Sequence, residues 1–245
     1  MSSPNQTILI TGVSSGIGHG LAKQYLASGH RVLGTSRRTP EDLTANDNFT
    51  FVSADLTDRA ATSSAIETLM KGVDQVNIAI LNAGVLGTFG DMADADLDEA
   101  KHVMDVNVWS NKNVIDALFD QQAVIDRIVT VSSGASVNGH RGWRGYAISK
   151  AALNMLTMLY AKERPETHFC ALAPGLVDTA MQDQLCGRAM DERFDSIEAL
   201  KSKRGTEGMP TPDAAAMRLI EAIDLLPSLV ASGDYADVRK MPLTS

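Results

Sequence analysis

Thr7-Ile8-Leu9-Ile10-Thr11-Gly12-Val13-Ser14-Ser15-Gly16-Ile17-Gly18 is the stretch that decides the fold of this chain. Its first four residues are typical of a short buried strand, and an apolar pattern with helical period follows from Ile17 to Ala27. A strand that runs through a glycine turn into a helix favours binding of a dinucleotide phosphate, because N–H groups at a helix N-terminus bind phosphate and missing side chains let it approach. Three residues separate the first two glycines, where the common fingerprint has one. The pattern alone therefore also fits a strand–helix turn without a ligand.

Strand-like and helix-like segments alternate along the rest of the chain without a linker or repeat. We predict strands near residues 7–11, 30–35, 49–53, 76–81, 127–132, 167–173 and 228–232. Helices are predicted over 17–28, 58–71, 95–120, 146–163 and 213–225, with a partly helical, substrate-side insert at about 178–208. This alternation predicts an α/β fold in which one doubly wound parallel sheet of about seven strands carries helices on both faces, as a single domain over residues 1–245.

Composition favours a soluble enzyme and argues against several other classes of protein. The chain has 245 residues, 44% of them hydrophobic, and a formal net charge of −8, which provides no basic field for nucleic acid or anionic lipid. No apolar run approaches the roughly 20 residues of a membrane helix, and the first residues lack the pattern of a signal peptide. The five histidines are scattered, and the two cysteines have no metal-ligand spacing. We expect a cytoplasmic protein without nucleic-acid, membrane or metal partners.

Tyr146 and Lys150 are four residues apart, and Ser133 ends an apolar run that begins at Ile128. If Tyr146 opens a helix, its phenol and the ammonium of Lys150 lie on the same face, a few ångströms apart. A positive charge at roughly 6 Å favours the phenolate by about two pK units, so we expect a lowered pKa for Tyr146. Such a phenol can exchange a proton with an alcohol or carbonyl near neutral pH. The alternative is a surface tyrosine beside a solvated lysine.

Several motifs fall together in the order seen in one family: the glycine motif, Leu81-Asn82-Ala83-Gly84, Asn107, Ser133, Tyr146, Lys150 and Pro174-Gly175. Over nearly its whole length the chain resembles the short-chain dehydrogenase/reductases, which are NAD(P)-dependent oxidoreductases with a single Rossmann-type domain. The resemblance implies that Tyr146 is the catalytic acid/base and that Ser133 holds the substrate oxygen, with Ser132 as its rival. It also implies that Lys150 lowers the tyrosine pKa and binds the nicotinamide ribose, and that Asn107 holds a proton-relay water. The implied cofactor contacts are Gly12, Ser14, Ser15, Gly16, Ile17, Gly18, Ser36, Arg37, Arg38, Asp55, Leu56, Asn82, Ala83, Gly84, Tyr146, Lys150, Pro174, Gly175, Val177 and Thr179.

The end of the second predicted strand distinguishes the two nicotinamide cofactors. An NAD enzyme is expected to place a carboxylate there for the ribose 2′-hydroxyl, whereas this chain has Ser36 followed by Arg37 and Arg38. Guanidinium groups pair well with phosphate, so NADP(H) is the predicted cofactor. A basic loop in a solvated bend is the alternative. In the family that the chain resembles, the acid at the position of Asp55 contacts the amino group of the adenine.

Substrate contacts are expected from the segment before Tyr146 and from the insert. Trp143 could form an aromatic wall for a flat substrate or could pack at a loop or subunit contact. Met181 and Met190 suit an apolar lid or simply fill gaps. Asp237, four residues after Ser232-Gly233, resembles the acid that anchors an amino-bearing ring in the sepiapterin and benzil reductase branch, although an acid in a surface turn is the alternative.

The sequence therefore predicts an NADPH-dependent carbonyl reductase acting on a small-molecule ketone, diketone or secondary alcohol. The alternative is a non-catalytic NADP(H)-sensing interaction protein on the same fold, and an alcohol dehydrogenase running the reverse reaction uses the same residues. The resemblance also implies a homodimer or homotetramer that forms through the helices at 95–120 and 146–163.

Overall fold

Strand β1, Thr7–Thr11, lies in the middle of the sheet in a computed structural model that describes residues 5–187, 189 and 191–244. Ile8, Leu9 and Ile10 are fully buried. Ile8 and Ile10 belong to one apolar cluster and Leu9 to another, because successive side chains of a strand point to opposite faces. Burial on both faces explains why this strand is a continuous apolar run in the sequence.

Seven parallel strands form the main sheet. Besides β1, these are β2 (Arg31–Ser36), β3 (Phe49–Ser53), β5 (Ile78–Leu81), β7 (Arg127–Val131), β8 (His168–Ala173) and β9 (Tyr235–Asp237). Two short strands, β4 (Gln75–Val76) and β6 (Val124–Ile125), lie outside this sheet. The strand order of the main sheet is β3-β2-β1-β5-β7-β8-β9, while β4 and β6 pair with each other in a small second sheet. The predicted doubly wound, Rossmann-type α/β fold is confirmed.

Helices cover both faces of the main sheet. They are α1 (Gly16–Ala27), α2 (Arg59–Leu69), α3 (Leu97–Met104), α4 (Ser110–Phe119), α5 (Arg144–Glu163), α6 (Ala180–Cys186), α7 (Asp195–Lys203) and α8 (Pro212–Leu229). α1 and α8 pack on one face, and α2, α4 and α5 pack on the other. In the described part of the chain, no helix combines the length and the apolar character needed to cross a bilayer.

The order of the strands reverses between β1 and β5. The chain first proceeds from β1 outward to β3 and then crosses back to β5 on the other side of β1. Loops that leave the carboxyl ends of these two strands therefore diverge, and ligands of open parallel sheets bind at this point. The glycine turn follows β1, and Asn82 follows β5.

The prediction of a strand at 228–232 is wrong, because α8 continues through Pro227 to Leu229 and the last strand is Tyr235–Asp237. Proline has no N–H to donate to the carbonyl of Ile223, one turn earlier. Arg127 supplies the missing donor, since its Nη1 lies 2.5 Å from that oxygen. The helix can therefore include the proline, and residues 231–234 form the turn into β9.

The predicted helix at 95–120 is interrupted in its middle. Asp105–Trp109 form a π turn between α3 and α4, in which the N–H of Ser110 donates to the carbonyl of Asp105. A π turn accommodates one more residue than an α turn and is often found at functional sites. The predicted partly helical insert contains α6 and α7.

Candidate functional site

The glycine turn has a backbone that only glycine accommodates easily. Gly12 and Gly16 have positive φ angles of 76° and 62°, which residues with a side chain rarely adopt. Gly18 lies in the first turn of α1, where a Cβ atom would come within 2.4 Å of both the carbonyl oxygen of Gly12 and Nδ2 of Asn82. α1 and the turn therefore approach each other more closely than any other residue at position 18 would allow.

The same turn is suited to an anionic group. Ser15 caps α1 without a side-chain hydrogen bond to the helix in the described structure, and the first turn carries no acidic residue. The first N–H groups of a helix lack partners within the helix and attract negative charge. Thr179 is distant in sequence but lies beside this turn. Its Cγ2 would be 3.4 Å from a Cβ atom added to Gly16. The residues present thus fit the phosphates of a dinucleotide, with predicted contacts at Ser14, Ser15, Ile17 and Thr179 around them.

The segment after β5 connects the glycine turn with the catalytic candidates. The N–H groups of Asn82 and Ala83 donate to Oγ1 of Thr11 at 3.0 and 3.1 Å, and Nδ2 of Asn82 donates to the Thr11 carbonyl at 3.1 Å. A Cβ on Gly84 would lie 3.0 Å from Oδ1 of Asn107 and 3.5 Å from Nζ of Lys150. Asn82 therefore contacts the glycine turn, whereas Gly84 lies beside the catalytic candidates, and both residues line the same crevice.

Two arginines are exposed at the end of β2. Ser36 is buried, and its hydroxyl donates to the carbonyl of Arg38 at 2.7 Å. The side chains of Arg37 and Arg38 are exposed, and neither forms an ion pair among the described residues. Cations without carboxylate partners at this edge fit a phosphate on the ribose.

Asp55 lies on the neighbouring strand end, beside the buried Leu56. The N–H and hydroxyl of Thr57 donate to Oδ1 of Asp55 at 3.0 and 2.8 Å. These two hydrogen bonds, the backbone one first, hold the pKa of Asp55 below its usual value. The carboxylate therefore stays ionised and can accept a hydrogen bond, as an adenine amino group would require.

Ser133, Tyr146 and Lys150 converge at the carboxyl end of β7. Tyr146 lies in the first turn of α5, and Nζ of Lys150 lies 5.8 Å from the centre of the Tyr146 ring. The prediction that the two side chains share one face of a helix is confirmed. Ser133 follows β7 directly, and its hydroxyl lies close enough to the phenol to oppose the rise in the pKa of Tyr146. Tyr146 and Lys150 are buried, and Ser133 is half-buried.

Burial is the strongest influence on both titratable groups of this cluster. It raises the pKa of Tyr146, against the opposing hydrogen bond from Ser133. It also lowers the pKa of Lys150 to about 8. The prediction of a lowered pKa for Tyr146 is wrong for this structure, because burial outweighs the influences that favour the phenolate. The amine of Lys150 is itself desolvated and donates to the carbonyl of Val131 at 2.7 Å. The phenol is thus kept protonated, which is the form of a proton donor.

Asn107 is fully buried in the π turn. Its Oδ1 accepts from the N–H of Val85 at 2.8 Å, and its Nδ2 donates to the Val85 carbonyl at 2.8 Å and to Oγ of Ser149 at 2.9 Å. The side chain therefore fixes the strand end near Gly84 to α5. Its predicted role in holding a proton-relay water stays a prediction.

A hydrogen-bonded group beside Ser133 was missed in the sequence. Asn154 accepts from Oγ of the buried Ser132 at 2.5 Å and donates to Oγ of Ser136 at 2.9 Å, and Ser136 in turn donates to the Ser133 carbonyl at 2.6 Å. Ser132 thus serves to support the loop. Asn154 lies eight residues after Tyr146, on the same face of α5 as Lys150, and that spacing is the signal that could have identified it.

Aromatic side chains form the wall next to Tyr146. Trp143 lies with its ring centre 5.8 Å from that of Tyr146 and 5.6 Å from that of Phe89, which in turn packs at 5.0 Å on Phe194. The indole N–H donates to Oγ of Ser196 at 3.0 Å. Trp143 therefore makes the predicted loop contact, and its ring also packs beside the ring of Tyr146.

A cavity of about 410 Å³ opens beyond this wall. It is lined by Phe89, Gly90, Asp91, Asp94, Ala189, Asp191, Arg193, Phe194 and Ile197. Asp91 accepts from Arg141 at 2.6 Å and from Arg193 at 3.1 Å, so charged pairs border the cavity. Met181 packs half-buried against the apolar cluster that contains Tyr146, whereas Met190 lies outside the described residues.

The last strand brings a carboxylate and a guanidinium to the same edge of the sheet. Asp237 is buried, and its two oxygens accept from Nε and Nη2 of Arg239 at 2.9 and 2.5 Å. Both oxygens of Asp237 thus pair with the arginine, and the predicted direct contact of Asp237 with a substrate stays a prediction. Pro174, Gly175 and Val177 follow β8 at this edge, and Gly175 has a φ of 79°.

Comparison with known families agrees with this geometry. The family model described as short chain dehydrogenase matches residues 6–188. A solved short-chain dehydrogenase/reductase from Saccharomyces cerevisiae superimposes with a TM-score of 0.84 at 25% identity, covering 97% of each chain.

Similar curated proteins include oxidoreductases of three kinds. An uncharacterized oxidoreductase of Schizosaccharomyces pombe is 39% identical over 183 residues, 72% of this chain and 73% of that protein. A benzil reductase ((S)-benzoin forming) of Bacillus cereus is 29% identical over 80% of this chain and 86% of its own length. An NADPH-dependent pterin aldehyde reductase of Arabidopsis thaliana is 28% identical over 75% and 80%.

Proposed function

Because the chain belongs to the short-chain dehydrogenase/reductase family, we propose that this oxidoreductase is an NADPH-dependent carbonyl reductase. The observation that carries the proposal is the cluster of the buried Tyr146 and Lys150 with the half-buried Ser133, beside a glycine turn that fits phosphate. The benzil and pterin aldehyde reductases among the similar proteins support reduction of a carbonyl group.

The chain's own residues supply the proton and orient the reacting carbonyl. A bound NADPH would supply the hydride. Ser133 and Tyr146 would both donate hydrogen bonds to the carbonyl oxygen, and these bonds strengthen as negative charge builds there. Tyr146 would then give its proton to that oxygen. The phenol is protonated at the start of this step, and the ammonium of Lys150, 5.8 Å from the ring centre, would stabilise the phenolate that remains.

NADP(H) is the proposed cofactor on the strength of Ser36, Arg37 and Arg38. The buried hydroxyl and the two exposed guanidinium groups place donors, and no carboxylate, at the end of β2. The relative named as NADPH-dependent supports the same choice. The phosphate contacts would come from Gly12, Gly16, Gly18 and the start of α1, and the nicotinamide contacts from Lys150, Asn82, Ala83 and the segment after Pro174.

Self-association is proposed through α5. Ile148, Met155, Met158 and Leu159 on this helix have exposed fractions between 39% and 54%. Their spacing places these four side chains on one face of the helix, and an exposed apolar face favours pairing with a second copy of the chain. Light scattering tests the proposed dimer or tetramer. A cytoplasmic location stays a prediction from the sequence.

The proposed reduction is tested by the oxidation of NADPH in the presence of vicinal diketones, pteridines, quinones and simple ketones, repeated with NADH. We expect Tyr146→Phe to lose about 1000-fold in kcat/KM, at the upper part of the range for general acid catalysis, because its oxygen supplies the proton. NADPH binding, followed by fluorescence, should be retained. Equal rates in the variant, or NADPH binding without turnover of any carbonyl, would contradict the proposal and favour a non-catalytic NADP(H) sensor.

A further inference from the structure

Arg239 is held in one orientation by a carboxylate that is itself out of solvent. The side chain of Asp237 is 4% exposed, and that of Arg239 is 51% exposed. Besides the two side-chain bonds, Oδ1 of Asp237 accepts from the N–H of Arg239 at 3.0 Å. A guanidinium fixed by two parallel bonds loses less freedom on binding a ligand than a mobile one.

The guanidinium lies at the edge where the substrate oxygen is expected. Its Nη2 is 3.3 Å from the position of a Cβ on Gly134, the residue directly after Ser133. The Cγ of Arg239 is 3.4 Å from the position of a Cβ on Gly175, after β8. Two glycines thus make room for this one side chain between the ends of β7 and β8.

One edge of the guanidinium is used and the other is available. Asp237 takes Nε and one side of Nη2, whereas Nη1 has no hydrogen-bond acceptor among the described residues. An arginine has five N–H donors in a planar fork, and its Nη1–Nη2 edge matches the two oxygens of a carboxylate. Lys240, which is exposed, adds a second positive charge that helps to hold the pKa of Asp237 below its usual value.

A substrate at this edge would therefore meet the positive charge of Arg239 and not the negative charge of Asp237. A free Asp237 would select a ring that carries an amino group, but the guanidinium in front of it selects an acceptor. We propose that Arg239 binds a carboxylate on the substrate, so that the enzyme prefers 2-oxo or 3-oxo acids over neutral ketones, with Asp237 as a positioning residue. The inference rests on the proposed reductase function and specifies its substrate class.

The test compares acids with their neutral esters. The substrates are benzoylformate and acetoacetate, each against its methyl ester, with NADPH and measured as kcat/KM. We expect the wild type to prefer each acid. The double variant D237N/R239M, which leaves no buried carboxylate unpaired, should lose about 10- to 100-fold on the acids, the value of a charge-assisted hydrogen-bond pair, mainly through KM. The esters should change by less than about threefold.

Two further variants separate a specific contact from general charge. K240M removes an adjacent cation of the same sign and should change the acid-to-ester ratio by less than about threefold. R239K keeps the charge without the fork and should lose part of the preference. The dissociation constant of mandelate, the product acid of benzoylformate, measured by calorimetry with NADP⁺ present, should rise in D237N/R239M in parallel.

Failure of this inference is distinguishable from failure of the proposed function. If the wild type reduces the esters as well as the acids, or if D237N/R239M keeps the acid preference, the assignment of Arg239 is overturned while the reductase stands. If NADPH binds and no carbonyl compound is turned over, the reductase function itself is overturned.

Discussion

The two sides of the crevice are built in different ways. The cofactor side, residues 11–18, 36–38 and 82–84, is shaped by backbone, by glycines and by hydrogen bonds such as those from Asn82 to Thr11. The substrate side, residues 86–94, 141–146, 189, 191–197 and 237–240, is held by pairs of side chains such as Arg141 with Asp91 and Trp143 with Ser196. A site made of backbone accepts few added atoms, whereas a site made of side-chain pairs can be altered one pair at a time.

The largest effect is expected where the backbone is tightest. Gly18→Ala places a Cβ 2.4 Å from the Gly12 carbonyl oxygen, so the turn must move. We expect a loss of at least about 3 kcal/mol in the free energy of unfolding, the upper end for overpacking, together with weaker NADPH binding. Urea denaturation and NADPH fluorescence measure the two effects. Gly139→Ala, where nothing lies within 4 Å, is the matched control, and a Gly18→Ala variant that binds NADPH normally would show that the turn is not rigid.

Lys150 lies where the two sides meet, and its burial should destabilise the fold near neutral pH. Its pKa is about 8 in the folded protein, against about 10.4 in an unfolded chain. Between these values the unfolded state binds more protons, so stability rises with pH from about 8 to about 10.4. Below pH 8 the folded state carries a cost of up to about 3 kcal/mol.

We therefore expect Lys150→Met to be more stable than the wild type at pH 7 by about 2 kcal/mol, with the difference shrinking toward pH 10. Urea denaturation at the two pH values measures it. Lys162→Met, at an exposed position of the same helix, should show no such dependence. A Lys150→Met variant that is less stable at both pH values would mean that the bond to the Val131 carbonyl outweighs desolvation.

Removal of Arg37 and Arg38 tests whether the cofactor side also contains a contact made by side chains. The double Ala variant should lose about 10- to 100-fold in kcat/KM for NADPH, since charge-assisted hydrogen bonds to the ribose phosphate are lost. The kcat/KM for NADH is the internal control and should hardly change. No loss with either cofactor would assign these arginines to a solvated bend, and an equal loss with both would mean that they do not contact the ribose phosphate.

The smallest effect is expected on the substrate side. Trp143→Phe keeps the ring packing and removes the hydrogen bond to Ser196, so KM for the carbonyl substrate should rise about 2- to 10-fold, the value of one hydrogen bond. NADPH affinity should stay unchanged. Ser196→Ala removes the same bond from the other side, and the double variant should be no worse than either single one if the bond is the cause.

The same difference explains how much the sequence could predict. The glycine turn was predictable because the positive φ of Gly12 and the contact at Gly18 restrict the residue type itself. The extent of α8 was not, because Pro227 is tolerated only through Arg127, a hundred residues earlier in the chain. Partners distant in sequence also decide the orientation of Trp143 and the placement of Arg239 over Gly134 and Gly175. The raised pKa of Tyr146 could not be predicted for a similar reason. The spacing of residues in the sequence indicates how far the phenol lies from a charge, but not how deeply it is buried.

The π turn at Asp105–Trp109 makes the number of residues in this region as important as their identity. Deleting one residue would let α3 and α4 fuse into an uninterrupted helix with every main-chain bond formed. Because the π turn takes up its extra residue locally, Val114, Ile115 and Leu118 would still face the strands that they now cover. A deletion within α3 or α4, by contrast, would turn the residues that follow it by about 100°. The extra residue therefore serves the placement of Asn107 inside the turn, and its loss would disturb the bonds of Asn107 to Val85 and Ser149 before it disturbed the packing of α4.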